Sequence, residues 1–250
     1  NTCYMFNHRP NSLNAGSLWG RPFYILREAW NILNAIAEGK IESGDEKKLN
    51  ALKGETMAVI ALCQFDLTRC FGYPYTKDNG ASLGAPLIDH LVGTYENPSR
   101  STVAQAYDFI IETLEEAVTL MSEEKNNGRM NKYAARALLA RVYLYHNDNR
   151  KAFDMADQLI KDVDASGSYA LYPHEKYVAA WSVETKFGSE SFFEIANSVD
   201  DTPGRDSWGY LLNWYGYQKG FVTQKYAEQM LADPGDVDRK STRLNSSHII

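Results

Sequence analysis

Residues 129–162 read RMNKYAARALLARVYLYHNDNRKAFDMADQLIKD, and this stretch constrains the fold more than any other. Ala134, Ala137, Ala140 and Tyr143/Leu144 recur at helical spacing, and so do Ala152, Phe153, Ala156, Leu159 and Ile160. Asn147-Asp148-Asn149 separates the two runs with turn residues. A connection this short makes the helices antiparallel neighbours. Small residues at the crossing let the backbones approach, so that ridges of one helix enter grooves of the other. Such a hairpin is the unit of tetratricopeptide-type repeats. One hairpin is not an array, but 23–38 and 45–71 read as a second, divergent pair.

The remaining periodicity agrees with a mainly helical chain. A first helix is expected from Pro22, a residue favoured at the first helical position, to Gly39, with Phe23, Leu26, Trp30 and Leu33 on one face. A second runs from Asp45 to Gly72, where glycine suits a left-handed helix stop and Pro74 follows. Residues 73–100 are rich in Pro, Gly, Asn and Asp, which marks turns rather than strands, and a connection this long is usually functional or a lid. Thr102 and Gln105 form a capping-box pair before Val103, Tyr107, Ile110 and Leu114. Beyond Lys161 the pattern breaks up. SYALYP and SESFFEIA read as short extended pieces, residues 199–220 as an aromatic, Gly-rich loop, and Thr223–Leu231 as a last helix.

Composition excludes more than it selects. A net charge of −6 offers no basic stripe for phosphates, which argues against a nucleic-acid partner. No apolar run is long enough to span a bilayer. Cys3, Cys63 and Cys70 have no CxxC spacing; the last two read as buried thiols too far apart on one helix for a disulfide. His8, His90, His146 and His174 have no partner at ligand spacing, so no metal is expected. The acidic loops Asp200–Asp206 and Asp233–Asp236 do not follow the twelve-residue calcium pattern and read as turns.

No nucleophile elbow, Walker loop or dinucleotide fingerprint is present, and no cofactor is implied. Glu115-Glu116 and Glu123-Glu124 read as solvated helix faces, and Asp66 beside Arg69 as a structural ion pair. The chemistry left over is aromatic. Tyr is abundant, at 16 residues, and Trp19, Tyr73, Tyr75, Tyr95, Trp208, Tyr210, Trp214, Tyr215 and Tyr217 fall in stretches read as loops. Flat rings accept the C–H faces of sugars, although the same rings also anchor loops through a polar handle. Trp19, Tyr73, Tyr75, Trp208, Tyr210 and Trp214 are the candidate ligand-binding residues.

Several segments together resemble the SusD/RagB family of outer-membrane nutrient-binding lipoproteins. They are REAWNILNAI, GETMAVIALCQFDLTRCFGYPYTKDNGASLGAPL, RSTVAQAYDFIIETLEEAVTLM, the hairpin sequence above and SESFFEIANS, in the family's order over 27–198. The resemblance implies a tetratricopeptide-like helical scaffold with an irregular, loop-rich ligand-binding half. It also implies a non-catalytic, lipid-anchored surface protein that captures glycans for a SusC-like TonB-dependent transporter. With FDLTRCFGYPY read as a structural hallmark of the family, Trp19 and the 208–214 region rank ahead of Tyr73 and Tyr75. A helical-repeat adaptor for proteins and a glycoside hydrolase remain the alternatives.

The ends carry their own expectations. Asp238–His248 (DRKSTRLNSSH) matches the translation of a sequencing-library adapter, so 238–250 is set aside as an artefact. Its Arg239, Lys240 and Arg243 outnumber Asp238, so the remainder is more acidic still. A partial domain is expected over 1–237, with the helical repeats at about 22–163 and the loop-rich portion at about 164–237. The natural protein is expected to continue past Val237, with its signal peptide and lipidation site ahead of this sequence; Cys3 is not assigned as the anchor.

Overall fold

The structure is a computed structural model. It describes residues 13–126, 128–180, 186–196, 200, 202, 204–207, 210–211, 215–217, 223–232 and 235. These fall into two units, 1–126 with 130–166 and 127–129 with 167–250.

In the first unit five helices follow one another: α1 (Leu13–Ala37), α2 (Glu46–Phe71), α3 (Val103–Leu120), α4 (Lys132–Tyr145) and α5 (Asn149–Ser166). Each packs against the next, which makes the helical, tetratricopeptide-like array expected from the small-residue hairpin. Two short antiparallel strands, β1 (Leu83–Pro86) and β2 (Arg100–Thr102), lie between α2 and α3. The second unit contains α6 (Tyr177–Ala180) and α7 (Gln224–Ala232) among its described residues.

Helix limits follow side-chain chemistry. Asp45 caps α2 through bonds from the Lys47 and Lys48 amides, and Asn131 caps α4 through Ala134. The Thr102–Gln105 capping box opens α3. Two further α3 amides, which no helical carbonyl could reach, donate to the incoming loop: Val103 N–H to Ser82 and Ala104 N–H to Gly80. Asn147, with φ 71°, turns the chain from α4 into α5. Arg136, buried on α4, then reaches Asp162 on α5 at 2.7 Å.

Several expectations change. α1 begins at Leu13, so Pro22 lies inside it rather than at its start. An interior proline removes one helical hydrogen bond, yet the turn before it is held because Trp19 packs edge-on against Phe71 of α2, centroids 4.8 Å apart. Gly72 is extended (φ −112°, ψ 167°), not left-handed. Its glycine is required by close approach: a Cβ would sit 2.7 Å from the Thr68 carbonyl oxygen and 2.9 Å from Val103 Cγ2. Residues 73–100 are not all turns, since β1 lies within them. The described parts of SYALYP and SESFFEIA form no strand.

On α4 the buried set is Tyr133, Ala134, Ala135, Arg136, Leu138, Leu139, Val142 and Tyr143, two faces rather than one. The helix is covered by α3 on one side and α5 on the other. On the outer side of α5, Phe153 and Ile160 are exposed, where the periodicity had placed them in the helix contact. Cys63 is buried as expected, but Cys70 is exposed.

Candidate functional site

One core cluster carries the site. Leu26 and Ala29 of α1, Ile60, Cys63 and Leu67 of α2, Ala85 of β1 and Ile88 of the loop after it close into a buried apolar cluster. The loop is pinned to it by polar bonds. Gln64, fully buried on α2, donates from Nε2 to the Pro86 carbonyl at 3.1 Å and accepts the Ile88 N–H at 3.4 Å. Trp30 Nε1 donates to the Ile88 carbonyl at 3.1 Å. Buried backbone groups need such partners because nothing else replaces the water they lost.

Beside this cluster opens a cleft of about 380 Å³, within the usual size range of small-ligand sites. One wall is α1, with Trp19, Phe23 and Arg27 spaced four apart and so on one helical face. The other wall is the loop, through Pro86, Ile88, His90, Val92 and Pro98. Trp19 stands edge-on to Phe23, centroids 5.0 Å apart, as well as to Phe71, and keeps 38% of its surface exposed.

The polar side chains lining the cleft are Arg27 and His90, each bonded to carboxylates. Arg27 is held by Glu28 at 2.8 Å and lies over the Tyr24 ring. His90 bridges Asp89 at 2.6 Å and Glu96 at 2.8 Å, while the second Glu96 oxygen accepts the Gly93 N–H at 3.1 Å. The hydrogen bonds to Asp89 and then Glu96 raise the His90 pKa above its ordinary value. The Gly93 amide and then His90 lower that of Glu96.

The candidate aromatics separate into distinct roles. Trp19, expected in a loop, stands on α1 and borders the cleft. Tyr73 is exposed, with the Lys77 ammonium 3.1 Å from its ring centre. Tyr75 is packed: its ring meets Tyr107 at 5.7 Å and His146 at 4.2 Å, and a Cβ on Gly80 would strike it. Tyr210 packs edge-on to Tyr217 in the second unit. Trp208 and Trp214 lie outside the described residues, as do Asp201, Asp233 and Asp236 of the acidic loops and the whole of 238–250.

Sequence reasoning missed Phe23 and Arg27 as partners of Trp19, although their four-residue spacing was visible once α1 is extended through Pro22. It also missed His90, because its partners are carboxylates one and six residues away rather than at metal-ligand spacing. Among the described residues no group of three or more His, Cys, Asp and Glu side chains is arranged to hold a metal ion. No helix among them is long and apolar enough to cross a membrane.

Comparisons with known proteins place this architecture. A SusD superfamily protein from Bacteroides vulgatus ATCC 8482 is 95% identical with a TM-score of 0.91, over 96% of this chain and 54% of that one. A SusD superfamily protein from Bacteroides thetaiotaomicron VPI-5482 is 34% identical with a TM-score of 0.76, over 86% of this chain and 48% of that one. The chain therefore spans about half the length of these relatives. None of the curated proteins matches it. The SusD-like family described as "Starch-binding associating with outer membrane" matches residues 4–144, which run from before α1 to the end of α4. With that match over more than half of its residues, and with near identity to a solved member, the chain belongs to the SusD-like family.

Proposed function

We propose that this chain is the helical part of a non-catalytic surface protein that captures glycans at the outer membrane and delivers them to a SusC-like TonB-dependent transporter. The observation that carries this reading is the family match over residues 4–144, whose description names both starch binding and outer-membrane association. The full-length protein is held at the membrane by a lipid anchor. Aromatic side chains supply the stacking surface, with Trp19 first among the described candidates and Trp208, Tyr210 and Trp214 next. Tyr73 is a peripheral contact, and Tyr75 serves the fold.

The test uses the full-length protein against a panel of soluble polysaccharides, with binding measured by calorimetry and hydrolysis by release of reducing sugar. Binding without hydrolysis is the expected result. Hydrolysis abolished by a single carboxylate substitution would make it a glycosidase instead. Co-purification of the transporter from solubilised outer membranes tests the partnership.

A further inference from the structure

We propose that α1 is a self-association face: two copies of the protein pair their α1 helices antiparallel, about a twofold axis at Ile25. This pairing needs no ligand and goes beyond the capture reading above.

Helical spacing gives α1 two apolar faces. Leu26 and Ala29 enter the core cluster, with Phe23, Trp30 and Leu33 packed against it. Leu18, Ile25 and Ile32 lie on another side: all three are exposed, and each stands seven residues from the next. Side chains seven apart sit almost directly above one another, so the three make one seam of about 21 Å. The outward face of a surface helix is ordinarily polar. An apolar seam of period seven is the pattern that keeps two helices in contact at a shallow crossing angle.

The charges beside the seam choose the occupant. Arg21 and Glu28 lie four residues before Ile25 and three after it, which puts both on the same side of the seam. An antiparallel second copy sets Leu18 against the second copy's Ile32, and Ile25 against its own equivalent. The same twofold operation brings Arg21 to within about 1.5 Å, along the helix axis, of the level of the second copy's Glu28. The ion pair then forms twice, as an isologous contact requires. In a parallel pair Arg21 and Glu28 would fall on opposite sides of the seam. Glu28 already holds Arg27 at 2.8 Å, but both side chains are open to solvent and such pairs are weak, so the carboxylate can take a second cation. One helix against one helix buries less than a standard interface, and the dimer is accordingly a weak one. Two copies side by side would hold a polymeric ligand at two sites, a gain that alone rests on the capture reading.

Sedimentation of the full-length protein without ligand, from about 10 µM to about 1 mM, reads the association. The weight-average mass should rise with concentration toward that of two copies. Ile25→Asp sets two carboxylates against each other at the axis and should keep the protein monomeric throughout. Because Ile25 is exposed, that variant should keep its far-UV circular dichroism. Arg21→Glu and Glu28→Arg should each weaken association about tenfold or more. The two together should restore it, a rescue that neither a folding defect nor a different partner imitates. A monomer over the whole range overturns the proposal, whether the rest of the chain or another protein covers α1. A dimer that survives Ile25→Asp lies on a different face and overturns it as well. Loss in each single charge variant without recovery in the double rejects the antiparallel register. With no ligand present, none of these outcomes touches the capture reading, which stands or falls on the polysaccharide panel.

Discussion

Gln64 holds Ile88 by the backbone. Its amide oxygen accepts the Ile88 N–H at 3.4 Å while its nitrogen bonds the Pro86 carbonyl two residues earlier, all in an interior where Gln64 has no solvent exposure. Replacing it with Leu keeps the volume but leaves the amide and the carbonyl unpaired. A loss of about 2–4 kcal/mol is expected, read as a lower urea midpoint at unchanged slope. Gln64→Glu should be equally destabilising at neutral pH. It should recover, relative to the parent at the same pH, once the carboxyl protonates and can donate to Pro86.

Gly72 and Gly39 should both resist alanine, for different reasons. At Gly72 the backbone is open to any residue, and the obstacle is the Thr68 carbonyl and Val103 within 3 Å of a new Cβ. About 1–3 kcal/mol is expected for this overpacking. At Gly39 there is space, but φ is +68°, and alanine should cost about 1 kcal/mol. Asn, which tolerates the left-handed region, should restore most of the loss at position 39 and none at position 72. Thermal unfolding of the four variants separates the two causes.

The His90 network should fasten the loop tip only within a pH window. His90 has a raised pKa in the folded chain, so its contribution is fully present below 6.5, its ordinary value, and is lost as pH rises through the raised one. Glu96 has a lowered pKa, so its contribution is present above 4.5, its ordinary value, and is lost as pH falls through the lowered one. The Gly93 amide, bonded to Glu96, should therefore show its greatest exchange protection factor between about pH 4.5 and 6.5. In His90→Phe the fall in protection on the alkaline side should disappear. A protection profile unchanged by that substitution would sink the account.

The two cysteines near the end of α2 should differ sharply in reactivity. Burial, reinforced by the Asp66 charge, pushes the Cys63 thiol up to about 11, whereas Cys70 faces solvent. In a Cys3→Ser background an aromatic disulfide reagent at pH 8 should label Cys70 within minutes and Cys63 only after unfolding. Rapid native labelling of both would show that the end of α2 opens.

Much of the scaffold was legible because it rests on local chemistry. Asp45, the Thr102–Gln105 box and the Asn147 turn are short-range signals, and each stands where its residue type suggested. The Asp66–Arg69 pair likewise forms at 2.6 Å. The errors at Pro22 and Gly72 share a cause: contacts between segments distant in the chain. Pro22 is held inside α1 with the help of an aromatic contact to a residue 52 positions beyond Trp19. Gly72 answers to Val103 rather than to its own dihedral angle. The β1–β2 pair escaped because three or four residues including Pro86 give no alternation to detect, and Arg100 and Ser101 side chains supply part of its bonding. At the site, only the Trp19 ring could be picked out in advance. The cleft exists because a loop lies across a helix, and no periodicity encodes that.

The fastening of the 86–98 loop has an evolutionary consequence. At its entrance Gln64 and Trp30 grip Pro86 and Ile88 from the core. At its exit Arg100 and Ser101 bond the carbonyls of Leu83, Gly84 and Ala85. Between them Val92 packs against the core cluster and His90 bonds Glu96, whereas Thr94, Tyr95 and Asn97 are exposed. Substitutions at these three exposed positions can accumulate with little effect on stability, so the tip of the arc can be rewritten for a new ligand while the helices beneath it stay unchanged. For an engineer, Thr94, Tyr95 and Asn97 are the graft site, and Gln64 is the residue to leave alone.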